Sequence, residues 1–379
     1  MVMALGMAGA MAACGGSSGS TSTTAAAAGN SDTATTAAAA AAADDGETYT
    51  LIFSHENAES SLVHQLTLQF KEEVEAATNG HVIIDVYPNS QLGSKTDNWQ
   101  GLCDNTIQMV LGLGSHMDDR LSILNMPCLY SSVETCKEAM SPDSELYQKV
   151  EEISDEVGVK VLLEVPIGFR TLSTNVETKS YEDLAGQNIR VMEMEQYIKL
   201  WSAFGCNPTP VAFSELYLAL QQGLVDAQEN PLDVILTNKL YEQQKYIVNT
   251  NHEPFYYGLA MNNVTWNSLP EEYQNAILDV VENIREVAYE KGIESEQAAL
   301  DQMVASGVTY VEFSDDDYAK MKEACKTSVY DVFRNYCGDE LVDLGDQDCR
   351  RSGSEVKYRI NQNSWSRSCR TLRWFRFLP

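Results

Sequence analysis

Positive charge is scarce in this 379-residue chain: 26 Lys and Arg stand against 55 Asp and Glu, for a formal net charge of −29. The deficit is uneven. Residues 46–349 carry 18 bases against 51 acids, a net −33, whereas residues 350–379 hold eight bases and one acid, Glu355. So acidic a body repels phosphate backbones, which excludes nucleic acid as its partner. An anionic ligand would have to be held by specific buried cations. Chemistry-bearing motifs are also missing. From residue 46 on there is no Gly-x-x-x-x-Gly-Lys-Ser/Thr, no Gly-x-Gly-x-x-Gly after a strand and no Gly-x-Ser-x-Gly. The five histidines (His55, His64, His81, His116, His252) do not cluster in sequence, and no Cys-x-x-Cys pair supports a zinc site. Carboxylates are so common that a chance acid pair says nothing about hydrolysis. No catalytic residue, cofactor or metal is expected, and the enzyme case is poor.

What is present fits a two-lobed globular body. At 42.0 kDa the chain is two to three times a typical single domain, and 44% hydrophobic residues allow a sizeable core. Both ends differ from that body. Met1–Ala13 is a short apolar stretch followed by Cys14 and Gly15-Gly-Ser-Ser, too short for a membrane span of roughly 20 residues. It reads as a signal peptide, residues 1–14, with a lipobox-like cleavage before Cys14, although the usual basic start is absent. Residues 15–46 are mostly Gly, Ser, Thr and Ala and read as a flexible tether. Lipid on Cys14 would hold the protein to the outer face of a membrane. Residues 347–379 switch abruptly to Arg with Trp365, Trp374, Phe375 and Phe377, without helical or strand periodicity. They are expected to be an out-of-frame stretch with no evolved role, the alternative being a membrane-surface or nucleic-acid segment.

Between the ends, strands and helices alternate, which predicts parallel-sheet α/β lobes. Strands are expected at 48–54, 81–87, 107–112, 159–165 and 188–192. Helices are expected at 61–78, 98–105, most of 134–158 and 215–222, the last capped by Ser214. Asn230-Pro231 reads as a helix start, Asn as cap and Pro at the first position. From Pro270 a helical period runs past Gly292 to about Val304, on the order of 50 Å at 1.5 Å per residue.

Nine cysteines are unusual in an exported protein. Setting aside Cys14, Cys349 and Cys369 leaves Cys103, Cys128, Cys136, Cys206, Cys325 and Cys337. A local Cys128–Cys136 bridge and buried free thiols are both open readings. Arg170 and Arg190 stand out on strand-like segments of a cation-poor body. A buried guanidinium needs a partner, and its planar fork matches a carboxylate through two parallel hydrogen bonds. That partner is either a ligand or one of the protein's own acids.

The segment Gly168-Phe-Arg170-Thr-Leu-Ser-Thr-Asn, then Asp183-Leu-Ala-Gly-Gln-Asn-Ile-Arg190-Val, then Gly205-Cys-Asn-Pro-Thr-Pro210-Val-Ala-Phe213-Ser-Glu215 through Asp226-Ala-Gln-Glu-Asn230-Pro231 resembles the substrate-binding proteins of TRAP transporters, the DctP family. Tyr87-Pro-Asn-Ser-Gln-Leu-Gly93, Tyr241–Tyr246 and Leu269–Gln274 match as well, so the likeness covers about Thr48–Asp346 in one collinear order. The resemblance implies a two-lobed periplasmic-binding-protein clamshell with a long lobe-spanning helix. Lobe I would comprise residues 47–167 with 256–295, and lobe II 168–255 with 296–346, with crossings near Gly168 and Phe255. It implies that Arg190 salt-bridges the ligand carboxylate, that Arg170 adds a second cationic contact and Asn230 a polar one, and that Phe213 is a packing wall. His55 or Glu56 takes the place of an N-terminal polar contact, and Glu193 adds an acceptor. Glu56 and Glu193 would repel a second carboxylate but accept from hydroxyls, which favours a sugar acid, a uronate or aldonate, over a C4-dicarboxylate. The expected protein is a monomer that captures a small organic acid outside the cytoplasm and delivers it to TRAP permease subunits. The alternatives are a secreted carbohydrate-active enzyme using paired carboxylates and a receptor-linked sensor.

Overall fold

A computed structural model describes residues 46–115 and 117–351, with side chains to 346. The readings of Cys14, the tether, His116 and the basic tail beyond 351 lie outside the described residues. Strands are β1 Tyr49–Ser54, β2 Val82–Tyr87, β3 Met109–Leu111, β4 Val159–Thr174, β5 Asn188–Val191, β6 Asn207–Pro210, β7 Ala227–Pro231, β8 Tyr246–Asn262 and β9 Thr309–Val311. Helices are α1 Leu62–Ala77, α2 Lys95–Cys103, α3 Val133–Ala139, α4 Glu145–Glu156, α5 Glu195–Ala203 and α6 Leu216–Gln221. They continue with α7 Leu232–Thr237, α8 Asn263–Ser268, α9 Glu271–Ala305, α10 Asp315–Ser328 and α11 Tyr330–Arg351. No helix among the described residues is long and apolar enough to cross a membrane.

All nine strands join one sheet in the order β2-β1-β3-β8-β4-β7-β5-β6, with β9 added beside β8. The short strands at each end pair in parallel, β1 with β2 and β3, and β5 with β6 and β7. Between them β4 and β8 run antiparallel over nearly their whole lengths. The sheet ends are therefore bridged by two long strands rather than by loops. Gly168 and Phe255 are cross-strand partners midway, beside a register shift between Pro166 and Gly168. That irregularity explains why β4 runs on to Thr174 instead of stopping at Val165: a bulge lets a strand tolerate Pro166.

The expected α/β, two-lobed architecture is what the chain adopts, and α9 is its long helix, 35 residues from Glu271 to Ala305. Its first half packs with α1 and β1 in a core containing Phe53, Phe70, Ile277 and Ile284. Its last turns join α6 and α7 in another, with Leu216, Ile235, Leu300 and Met303. A larger third core gathers Trp99, Tyr147, Trp201 and Phe333 from α2, α4, α5 and α11. Gly292 sits where α9 passes β4, and a Cβ there would lie 2.6 Å from the Ile167 carbonyl oxygen. The helix keeps this glycine because of that close approach.

Several local expectations are corrected. Helix α2 begins at Lys95, not near Asn98, because Ser94 and Asp97 form a capping box. The 134–158 segment is two helices, since Ser141-Pro142 interrupts it and Ser144 caps the second. Ser214 does not cap a helix: it lies inside a 3₁₀ turn, Phe213–Glu215, and the α-helix starts after it. Asn230 is not a cap either. It lies within strand β7, whose last residue, Pro231, takes the cap position of α7. Cys128 and Cys136 are not bridged to each other.

Candidate functional site

A cavity of about 210 Å³ lies between the two ends of the sheet. This is smaller than the ~300–1,000 Å³ of typical drug-sized sites and suits a compact ligand. Its wall includes every candidate residue named from the sequence: His55, Glu56, Arg170, Arg190, Glu193, Phe213 and Asn230.

Arg190 is placed by strand alternation. Ile189 and Val191 enter the core, and the arginine on the other face is 2% exposed. Its Nε donates to the Val211 carbonyl at 2.8 Å. Among the described residues, neither Nη1 nor Nη2 has a hydrogen-bond or carboxylate partner. Burial pulls this guanidinium down to about 10, with Glu229 the strongest opposing charge, so it stays protonated near neutrality. Phe213, half-buried, brings its ring centroid to 6.0 Å from the guanidinium carbon.

Arg170 is different. Its Nε donates to Glu229 Oε2 at 2.6 Å and its Nη2 to Glu229 Oε1 at 2.9 Å, a forked ion pair. Nη2 also donates to Asn230 Oδ1 at 3.2 Å. Burial disfavours this cation, but the Glu229 carboxylate more than compensates and holds it charged. Of the two origins open for its partner, a protein acid takes Nε and Nη2, and only Nη1 is left for a ligand. Glu229 is itself buried, yet Arg170 and His252 bring it down to about 2. Since a carboxylate only accepts, His252 Nε2 donates to Glu229 at 3.1 Å, and Nδ1 accepts from Thr250 at 2.9 Å.

The remaining candidates sit as follows. Asn230 is buried and donates to Gln228 Oε1. Glu56 is half-buried and Glu193 exposed, both at the cavity wall. His55 is buried, and its Nε2 lies 3.0 Å from His64 Nδ1. Two histidines nine residues apart thus meet, against the expectation that none cluster: the end of β1 and the first turn of α1 face each other. Burial first, then His64, lowers His55 to about 4, so the ring is neutral. No group of three or more potential metal ligands occurs among the described residues.

Sequence reasoning missed several cavity groups: Lys95, Glu164, Tyr197, Asn125 and Glu253. Tyr197 Oη and Asn125 Nδ2 both donate to Glu253 Oε1, at 2.7 and 2.8 Å. Glu253 is pushed up to about 7, mainly by burial. Glu164, 1% exposed, accepts from the Leu113 backbone N–H at 2.8 Å. Its lone acid in the apolar run Val161–Ile167 was the available signal. Gly258 beside it makes the room: a Cβ there would fall 2.2 Å from Glu164 Oε1.

Burial raises Glu164 from 4.5 to about 8, so the folded protein keeps its proton while the unfolded chain loses it. The stability this group supports therefore falls as pH rises from about 4.5 to about 8, by at most about 1.4 kcal/mol per pH unit. Glu164→Gln, which keeps the acceptor for Leu113, is expected to remove that slope. Denaturant titrations should show the variant gaining on the parent by on the order of 2 kcal/mol between pH 5 and 8. A pH-independent difference contradicts a buried neutral acid.

A guanidinium with both terminal nitrogens open among the described residues, at the wall of a small cavity, can pair with an organic anion. The family model for bacterial extracellular solute-binding protein, family 7, matches residues 53–335. A solute-binding protein of Roseobacter denitrificans is 31% identical over 286 residues, covering 74% of this chain and 86% of that protein. Its solved structure, with bound L-galactonate, matches with a TM-score of 0.72 and 27% identity over 80% of this chain and 99% of the other. A TRAP periplasmic solute-binding protein of Haemophilus influenzae with bound L-gulonate gives 0.74 and 27%, over 80% and 100%. One from Desulfovibrio salexigens with bound orotic acid gives 0.76 and 27%, over 80% and 99%. The chain belongs to bacterial extracellular solute-binding protein family 7, the DctP family, and is a TRAP transporter substrate-binding protein.

Proposed function

We propose that this protein captures one small sugar acid, an aldonate or uronate, and that Arg190 holds its carboxylate through Nη1 and Nη2. The observation that carries this is the 2%-exposed Arg190 at a cavity wall, with both terminal nitrogens lacking an acceptor among the described residues. A buried cation without a counter-ion is unfavourable until an anion arrives. Arg170, fixed by Glu229, offers Nη1; Asn230 and Phe213 line the same wall; Glu56, Glu193 and His55 face the ligand's hydroxyls. Sugar acids are supported by L-galactonate and L-gulonate in the related structures and by acceptor-rich Glu56 and Glu193.

Lobes comprising 47–167 with 256–295, and 168–255 with 296–346, would close about the Gly168–Phe255 crossing and expel water, which strengthens the Arg–carboxylate pair. The loaded protein then hands its cargo to membrane permease subunits. The protein works outside the cytoplasm as a monomer, tethered by lipid on Cys14. No bond is made or broken, which separates this reading from a secreted carbohydrate-active enzyme. A thermal-shift screen over aldonates, uronates, C4-dicarboxylates, 2-oxo acids and sialic acid tests it. The expected result is stabilisation by a sugar acid that is recovered unchanged; turnover of the stabilising compound overturns the reading.

A further inference from the structure

Lys95 is the cavity residue whose placement the fold does not explain. It is the first residue of α2, where a cation meets the positive end of the helix dipole. It is half-buried, at the wall of the same cavity as Arg190. Its Nζ stands 4.7 Å from the Trp99 ring centroid, one helical turn on, which fixes the ammonium by a cation–π contact. No carboxylate among the described residues comes within ion-pair distance of it, although other lysines of this acidic body, such as Lys71, Lys137 and Lys320, have such partners. Burial lowers its pKa, and the charges around it are Glu56, Arg170, Glu164 and Glu253. Lys95 arises beside the β1–β3 end of the sheet and Arg190 on β5 near the other, so the cavity lies between two cations offered from its two sides.

We propose that Lys95 is a specificity-determining residue that donates to the terminal hydroxyl of the bound sugar acid, at the end remote from the carboxylate. The inference rests on the reading above, in which Arg190 holds that carboxylate. An ammonium has three donors and no acceptor, so it meets an oxygen that can accept. The choice of a hydroxyl over a second carboxylate follows from Glu56, whose charge acts on both Lys95 and Arg190. A hydroxyl can accept from Lys95 and donate to such a carboxylate at once. A carboxylate there would be repelled.

The test is a cycle in which the protein loses its ammonium and the ligand its last hydroxyl. The probes are L-galactonate and 6-deoxy-L-galactonate, with galactarate as a diacid, titrated calorimetrically into the parent, Lys95→Met and Lys95→Arg. Lys95→Met keeps the apolar stem, and an unchanged melting curve without ligand shows that it folds. The parent should prefer L-galactonate to its deoxy analogue. Lys95→Met should weaken L-galactonate about ten- to hundred-fold while changing the deoxy analogue less than about three-fold, and Lys95→Arg should restore part of the preference. An equal loss for both probes, or no loss for either, overturns the assignment of Lys95 and leaves Arg190 untouched. Tighter parent binding of galactarate than of L-galactonate, lost in Lys95→Met, also overturns it, in favour of a second carboxylate. A parent that ignores L-galactonate overturns it as stated. Failure of the carboxylate reading itself shows separately, as Arg190→Ala retaining affinity for whichever acid binds.

Discussion

Arg190→Ala should raise the dissociation constant for the bound acid by about 100- to 1,000-fold, or about 3–4 kcal/mol, while leaving the fold intact. Both halves of this expectation come from one arrangement. Among the described residues the Arg190 side chain makes a single hydrogen bond, from Nε to Val211, and no ion pair, so little in the unliganded state depends on its charge. An unpartnered buried guanidinium is a burden on the empty protein, and its removal should leave the melting temperature without ligand unchanged or higher. The affinity, by contrast, depends on that charge, because Arg190 brings two open terminal nitrogens to the cavity wall whereas Arg170 has only Nη1 left. Lys in its place keeps the charge but loses the fork, so Arg190→Lys should recover only part of the affinity. Isothermal titration beside thermal melts reads both effects. Unchanged affinity in Arg190→Ala would remove the carboxylate clamp.

Glu229→Ala should act on the opposite quantity. It strips Arg170 of its forked partner and leaves a 7%-exposed guanidinium charged, with His252 losing its acceptor as well. Breaking one side of such a buried pair costs about 3–5 kcal/mol, a large share of the ~5–15 kcal/mol that stabilises a typical domain. Denaturant unfolding should show it directly. Removing both charges, with Arg170→Met added, should recover part of the loss, since an apolar pair of similar volume no longer needs solvation. The pH dependence has a definite sign. Glu229 is held at about 2 against 4.5 unfolded, so its contribution is fully present above about pH 4.5 and disappears as pH falls toward 2. The gap between Glu229→Gln and parent should therefore narrow in acid. A gap that is constant down to pH 3, or absent at pH 7, contradicts a stabilising Arg170–Glu229 pair.

The architecture was readable because its cues are local. Alternating β-branched segments, a helical period sustained over 35 residues and glycines at helix ends each announce themselves within a short window. Where local cues compete, the reading slipped by a few residues. At Asn230-Pro231 strand β7 uses the backbone of Asn230 to pair with β4, opposite Thr171, so the helix waits for Leu232. Arg190 and Arg170 were conspicuous as rare cations on strands, but nothing in their spacing separates an arginine that is open from one that is paired. That difference rests on Glu229, whose register opposite Leu172 exists only once β7 has found β4. Lys95, Glu253 and Tyr197 were invisible for the same reason: they reach the cavity from segments far apart in the chain, among many acids and tyrosines with ordinary surroundings.

The strands β4 and β8 give the molecule an indivisibility that its bilobal outline conceals. The peptide runs from one end of the sheet to the other along β4, returns along β8, and sets out again inside α9. A single cut after Gly168 or before Phe255 would free neither half as a finished piece, because each sheet end takes its inner strands from chain that begins in the other. Hence the two ends of the sheet cannot be produced as separate modules, since one hydrogen-bonded ribbon belongs to both.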